Sequence, residues 1–189
     1  MTTGDLLRGT RTILRPIVPS DYEALYRIEL SGSLLRSWRF GGTTPPPEEY
    51  AALLWRGVHS QYLVESSTSG GSSAIALVTS YNMDATNGHC YVAALRMADG
   101  VAASSMFIEG FAVFVESLFR STAIRKVYLE APEYNVVEFE SAVRTGLLTE
   151  EARLKEHRYF DGRYWDQCIL SITRNKWDEI GRFVPGLRE

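Results

Sequence analysis

The segment Met97-Ala-Asp-Gly100-Val-Ala102 is where this chain first shows a means of doing chemistry. The stretch His89 to Met97 alternates as a strand does, and a long helical pattern begins immediately after it. A strand that runs through small residues into a helix leaves the first backbone N–H groups of that helix unpaired. It also presents the positive end of the helix dipole, and both features suit an anion such as a phosphate. Gly100 permits close backbone approach, while Ala102 and Ala103 keep the entrance narrow. A plain strand-to-helix turn without a ligand has the same appearance. The strand also carries an imidazole, a thiol and a phenol in succession, His89, Cys90 and Tyr91. Neighbouring strand residues point to opposite faces, so His89 is badly placed to activate Cys90, which reads as packing. The His89 imidazole is of a type that suits a general base, or it is a strand-end residue facing solvent. Tyr91 has a proton to donate, or it packs as strand tyrosines commonly do.

These residues must be positioned by elements that the pattern also predicts. Arg11 to Pro16 alternates as a half-buried strand. Ser20 followed by Glu23 is a capping box, predicting a helix that carries Tyr22, Leu25, Tyr26 and Leu30 on one face. A second helix is predicted from about Pro47 to Val58. Strands over Gln61–Glu65, Ala74–Tyr81 and His89–Met97 form a meander with turns at Ser66 to Ser73 and Asp84 to Gly88. The long helix runs to about Arg120 and buries Met106, Gly110, Val113, Phe114 and Leu118. Arg125–Glu130 is a strand, Asn135–Thr145 a helix stopped by Gly146, and Arg153–Phe160 with Tyr164–Ile172 a hairpin around Asp161-Gly162. A short helix and a loose end follow from Asn175. The crossover through the long helix implies one parallel strand pair in an otherwise antiparallel sheet.

Composition narrows the function classes. The 189 residues fit one domain over 1–189, with a core at about 10–173 and a tail at 174–189. Twenty basic against twenty-three acidic residues give a net charge of −3, which argues against a nucleic-acid partner. The two cysteines, Cys90 and Cys168, fit neither a disulfide framework nor a metal site. The N-terminus lacks a signal-peptide pattern, and the apolar run Val101 to Phe119 is interrupted by polar residues. The expectation is therefore a cytoplasmic protein without a membrane partner.

The order and spacing of these segments resemble the GNAT superfamily of N-acetyltransferases. The closer resemblance is to the branch that acetylates ribosomal-protein N-termini. Arg11-Thr-Ile-Leu-Arg-Pro16 with Asp21 resembles the opening strand of that branch, Asn135 with Gly146-Leu147 its central segment, and Arg153, Gly162 and Asp166 its closing hairpin. The resemblance covers about Arg11 to Ile172. It implies an α/β (α+β) fold, a mixed, mostly antiparallel sheet of about seven strands flanked by about four helices. It also implies acetyl-CoA or another acyl-CoA as co-substrate, no metal, and a primary amine acceptor on a small molecule or a peptide N-terminus.

By the same resemblance Leu95, Arg96, Met97, Gly100, Val101, Ala102 and Asn135 would hold the coenzyme, with backbone of Leu95 to Met97 polarising the acyl carbonyl. The pyrophosphate pattern opens with Gln or Arg in the family. Here Met97 stands in that place, with Arg96 one residue out of register and Asp99 beside the presumed phosphates. His89 occupies a position where relatives carry a glutamate base. Ala142 replaces the usual tyrosine acid, leaving Ser141 as the adjacent hydroxyl and Tyr134 as another. Asn135 touches the pantetheine arm or caps a helix. Arg36, Trp38, Arg39 and Phe40 fall in the acceptor-lining segment, where the two arginines would meet a carboxylate. A binding module of this shape without efficient catalysis, and an enzyme taking a carrier-protein thioester near Arg120 and Lys126, are the alternative readings. Homodimerisation is common in such folds.

Overall fold

Alternating apolar residues build a seven-stranded sheet, and a long apolar helix covers one face of it. The computed structural model describes residues 7–31, 39–67, 74–98 and 100–180. In chain order the elements are β1 (Thr12–Pro16), α1 (Tyr22–Glu29), α2 (Pro47–Leu54), β2 (Val58–Ser66), β3 (Ala74–Asp84) and β4 (His89–Arg96). They continue with α3 (Val101–Ser121), β5 (Lys126–Pro132), α4 (Glu133–Val136), α5 (Glu140–Arg144), β6 (Thr149–Phe160), β7 (Arg163–Thr173) and α6 (Arg174–Ile180). The strand order is β1-β2-β3-β4-β5-β7-β6, antiparallel throughout except for β4 and β5. The mixed α/β architecture, the seven strands and the central parallel pair are those expected from the sequence. The described residues hold six α-helical segments rather than about four.

Strand alternation sorts the core into two layers. Cys90, Val92, Val127 and Leu129 face α3 and pack with Phe107, Phe114, Val115 and Leu118. Leu63, Leu77 and Leu95 face the other way and pack beneath α1 and α2 with Leu25, Tyr50 and Leu54. Each fully buried side chain of this size contributes about 1.5–3 kcal/mol. α3 is long and apolar enough to cross a membrane by composition alone, but most of it is buried inside this protein. Its Glu109, also buried, accepts the backbone N–H groups of Arg11 and Thr12 and the Thr12 hydroxyl, which ties β1 to the helix.

Several local expectations need correction. The first helix is preceded by a 3-10 turn at Pro19–Asp21, and its cap is Asp21 rather than Ser20. Asp21 accepts the Val18 N–H at 2.8 Å and both forks of Arg15 at 2.9 and 3.0 Å. The Arg15 hydrogen bond holds the Asp21 carboxyl below the ordinary aspartate range. The second helix stops at Leu54 because Gly57, at φ +68°, turns the chain into β2. The helix expected over Asn135–Thr145 is split into α4, a 3-10 turn at Val137–Phe139, and α5. Pro132 starts it directly from β5, so Asn135 sits inside α4 and caps nothing. The turn around 68–73 and the tail beyond 180 lie outside the described residues.

Candidate active site

β4 and β5 pair only from His89–Lys126 to Val92–Leu129. Beyond that point they separate, and the separation opens beside the N-terminus of α3. The register fixes which groups look into it. Met97 donates its N–H to Ile75 O of β3 at 2.8 Å, so Met97 does not offer that N–H to an acyl group. Backbone alternation instead turns the N–H groups of Ala94 and Arg96 toward the β5 side. Gly100 takes φ +102°, which favours glycine, and leads into α3. The Arg96 side chain lies on the α3 side of the sheet, where Nη1 donates to Ser104 Oγ at 3.3 Å. Arg11 reaches the next residue, Ser105 Oγ, also at 3.3 Å. Two guanidinium groups therefore flank the first turns of α3, and the arginine that looked out of register by sequence is present there. Asp99 and the Val101 side chain lie outside the described residues, and Ala102 is exposed.

On the opposite face of the sheet a cavity of about 340 Å³ lies across β3, β4, β5 and β7. Ala93, Glu130 and Pro132 line it from the edges of the separation, and Thr79 and Tyr81 from β3. Arg56, Arg39, Arg158 and Gln167 complete its polar wall. Gln167 is 6% exposed, and its Oε1 has no hydrogen-bond partner. It stands opposite Pro132, diagonally across from Glu130, in the β5–β7 ladder. A buried carbonyl oxygen without a donor is costly to the fold. Tyr81 is half-buried, and burial first, then the Glu130 charge, push its phenol well above the ordinary tyrosine range. It stays protonated at neutral pH and so has a proton to donate.

The sequence-predicted residues divide by location. Leu95 is buried in the apolar layer under α1 and α2, and Arg96, Met97 and Gly100 stand at the mouth of the separation. His89 lies at the closed end of the β4–β5 ladder, six residues and about 20 Å from Leu95 along the strand. Its ring touches those of Tyr91 and Tyr128, and Tyr91 touches Tyr81. His89 and Tyr91 thus continue an aromatic row that leads away from the cavity. Burial raises the Tyr91 phenol. Cys90 is fully buried, and burial pushes its thiol up to about 11. Ser141 and Asn135 are exposed on α5 and α4, while Ala142 packs at the edge of the core. Tyr134 packs against Phe160 and Trp165. Arg39 lines the cavity but donates to Leu54 O at 2.8 Å and Gln61 Oε1 at 2.6 Å, and faces Glu29 at 3.5 Å. Phe40 packs on Tyr50, and Arg36 and Trp38 lie outside the described residues. Arg120 and Lys126 pair with Glu116 and Glu151 at the far end of α3, about 30 Å from its N-terminus.

Glu130, Tyr81, Arg56, Arg158 and Gln167 were not singled out by sequence. Glu130 had a usable signal: it is a carboxylate near the carboxyl end of the strand after the central crossover, where open α/β sheets hold ligands. The others had none. The described residues contain no group of three or more His, Cys, Asp or Glu able to hold a metal ion.

No family profile matches the chain, and no curated protein sequence matches it. Solved structures do match its fold. A probable GNAT-family acetyltransferase from Chromobacterium violaceum superposes with a TM-score of 0.69 at 17% identity, over 91% of this chain and 87% of that one. Spermidine N-acetyltransferase from Vibrio cholerae, in complex with CoA and spermine, gives 0.68 at 16% identity over 88% and 98%. The ribosomal-protein N-acetyltransferase RimL in complex with coenzyme A gives 0.67 at 18% over 87% and 94%. At these identities the likeness is one of fold, and the fold is that of the GNAT acetyltransferases.

Proposed function

We propose that this protein is an N-acyltransferase that moves an acyl group, acetyl in the simplest case, from acyl-CoA to a primary amine. The observation that carries this reading is the β4–β5 separation. It is bordered by the Arg96-flanked N-terminus of α3 on one face and by the Glu130–Gln167 cavity on the other. The co-substrate would supply the activated acyl group. Gly100, Arg96 and the first turn of α3 fit its phosphates, and the neighbours bound to CoA share this fold. The N–H groups of Ala94 and Arg96 face the place where the acyl carbonyl would lie and would polarise it.

The amine enters from the cavity. Its ammonium form loses a proton to Glu130, directly or through water, and the nitrogen then attacks the thioester carbon. The C–N bond forms, the C–S bond breaks, and the second amine proton leaves with the sulfur. The products are the amide, free CoA thiol and one proton released to solvent. Tyr81 supplies a protonated phenol on the same wall.

A reading as a branch member specific for ribosomal proteins has no observation of its own here. Titration calorimetry with acetyl-CoA and with CoA tests the proposal. One site per chain with micromolar affinity is expected, weakened about tenfold or more by Arg96→Ala. Absence of binding by either compound sinks it, and a carrier-protein donor or a binding module without catalysis becomes the reading to pursue.

A further inference from the structure

The cavity carries more basic than acidic side chains among its described lining residues. Among the described residues, the charged side chains that face it are Arg39, Arg56 and Arg158 with one carboxylate, Glu130. Arg39 is held within the protein by Leu54 O, Gln61 and the buried Glu29, and so forms part of the wall. Arg56 sits on the exposed turn between α2 and β2, and Arg158 comes in from β6. Such a cavity disfavours a polycation and favours a carboxylate at its arginine side. Its volume is that of a small-molecule site.

Arg158 reaches the cavity through a device in the hairpin. β6 and β7 pair Leu154 with Gln167, but the next pair on that face is Arg158 with Trp165. Two extra residues are looped out of β6 between them. Regular pairing would set Glu156 opposite Trp165. The bulge removes that glutamate from the register and puts an arginine in its place. Glu156 takes φ +50° at the bulge. Its N–H donates to Asp166 Oδ1 at 3.1 Å, and Lys155 Nζ donates to Asp166 Oδ2 at 2.7 Å. Asp166 is therefore hydrogen-bonded to the bulge that sets the sign of charge at the cavity wall.

We infer that the acceptor is a small primary amine carrying a carboxylate, an amino-acid-like compound. Its nitrogen meets Glu130, and its carboxylate meets Arg158 and Arg56. This rests on the acyltransferase reading and extends it to the substrate class. Glu130 of β5 stands at the edge of the separation, so the nitrogen is delivered toward the acyl group while the arginines hold the other end.

The test uses the full chain with acetyl-CoA and a panel of L-amino acids, each paired with its own carboxamide, together with spermidine and a tetrapeptide amide. Thiol release gives kcat/KM, and saturation-transfer NMR on the CoA-loaded and the free protein gives binding independently of turnover. The inference expects at least one amino acid to be preferred over its carboxamide by about tenfold or more, the effect of one charge-assisted hydrogen bond. Arg158→Gln and Arg56→Gln should each shrink that preference to about threefold or less while CoA affinity stays unchanged. Preference for the carboxamide, for spermidine or for the tetrapeptide overturns the inference, as does a preference that survives both substitutions. If Arg158→Gln does not fold, Arg56→Gln and Arg158→Lys decide, the lysine keeping part of the preference. Loss of CoA binding in the unaltered chain overturns the acyltransferase reading instead, and the NMR comparison still decides the charge preference of the cavity.

Discussion

The carboxylate of Asp166 accepts the backbone N–H of Glu156 at 3.1 Å, at the point where the β6–β7 register shifts by two residues. This contact lies within the bulge that sets Arg158 rather than Glu156 opposite Trp165. Asp166→Ala should release the bulge, raise KM for the preferred acceptor several-fold and leave CoA affinity unchanged. Steady-state kinetics paired with calorimetry checks both halves. The pH dependence follows from the same contact. The Lys155 hydrogen bond, with that of the Glu156 N–H, holds Asp166 below the ordinary aspartate range. Its contribution is therefore complete above that ordinary range and is lost only as pH falls through the lowered value. The clamp should be intact at neutral and mildly acidic pH.

Glu130→Gln removes the proposed base while keeping the side-chain size. The expected result is a fall in kcat of about 10²–10⁴-fold with CoA affinity preserved. A His89→Gln variant, altered at the closed end of the ladder, should keep the kcat of the unaltered chain.

Gly110 brings α3 against β2. A Cβ there would lie 2.3 and 2.8 Å from the two methyl carbons of Val64, which is fully buried. Gly110→Ala should destabilise the fold by about 1–3 kcal/mol in urea unfolding despite the better helix propensity of alanine. Adding Val64→Ala should recover part of the loss, so that the two changes are non-additive.

Both cysteines should be inert in the native state. Cys90 and Cys168 are buried, and burial raises both thiols, Cys90 to about 11. A thiol reagent at pH 7.5 should label neither until the protein is denatured, and then both. Mass spectrometry across an unfolding series reads this directly.

Much of the scaffold was legible because it is local. Alternation in β4, the small-residue turn at Gly100, the long apolar face of α3 and the Asp161-Gly162 hairpin are written within a few residues each. The capping of α1 was misassigned because Asp21 is drawn in by Arg15, a residue of the preceding strand. The split of the helix after β5 likewise depends on how Pro132 launches the chain from the sheet.

The sequence by itself determined the order of elements, the parallel central pair and a small-residue turn at the start of α3, since periodicity and turn chemistry act over short spans. It could not show where along β4 and β5 the strands part, nor that Arg96 reaches Ser104. Nor could it bring Glu130, Gln167 and Arg158 to one wall. Those three stand on different strands, and their meeting depends on cross-strand register and on a two-residue bulge. Register is a property of the paired sheet, fixed by which faces are buried and by contacts such as Asp166 with Glu156, so only the tertiary structure decides it.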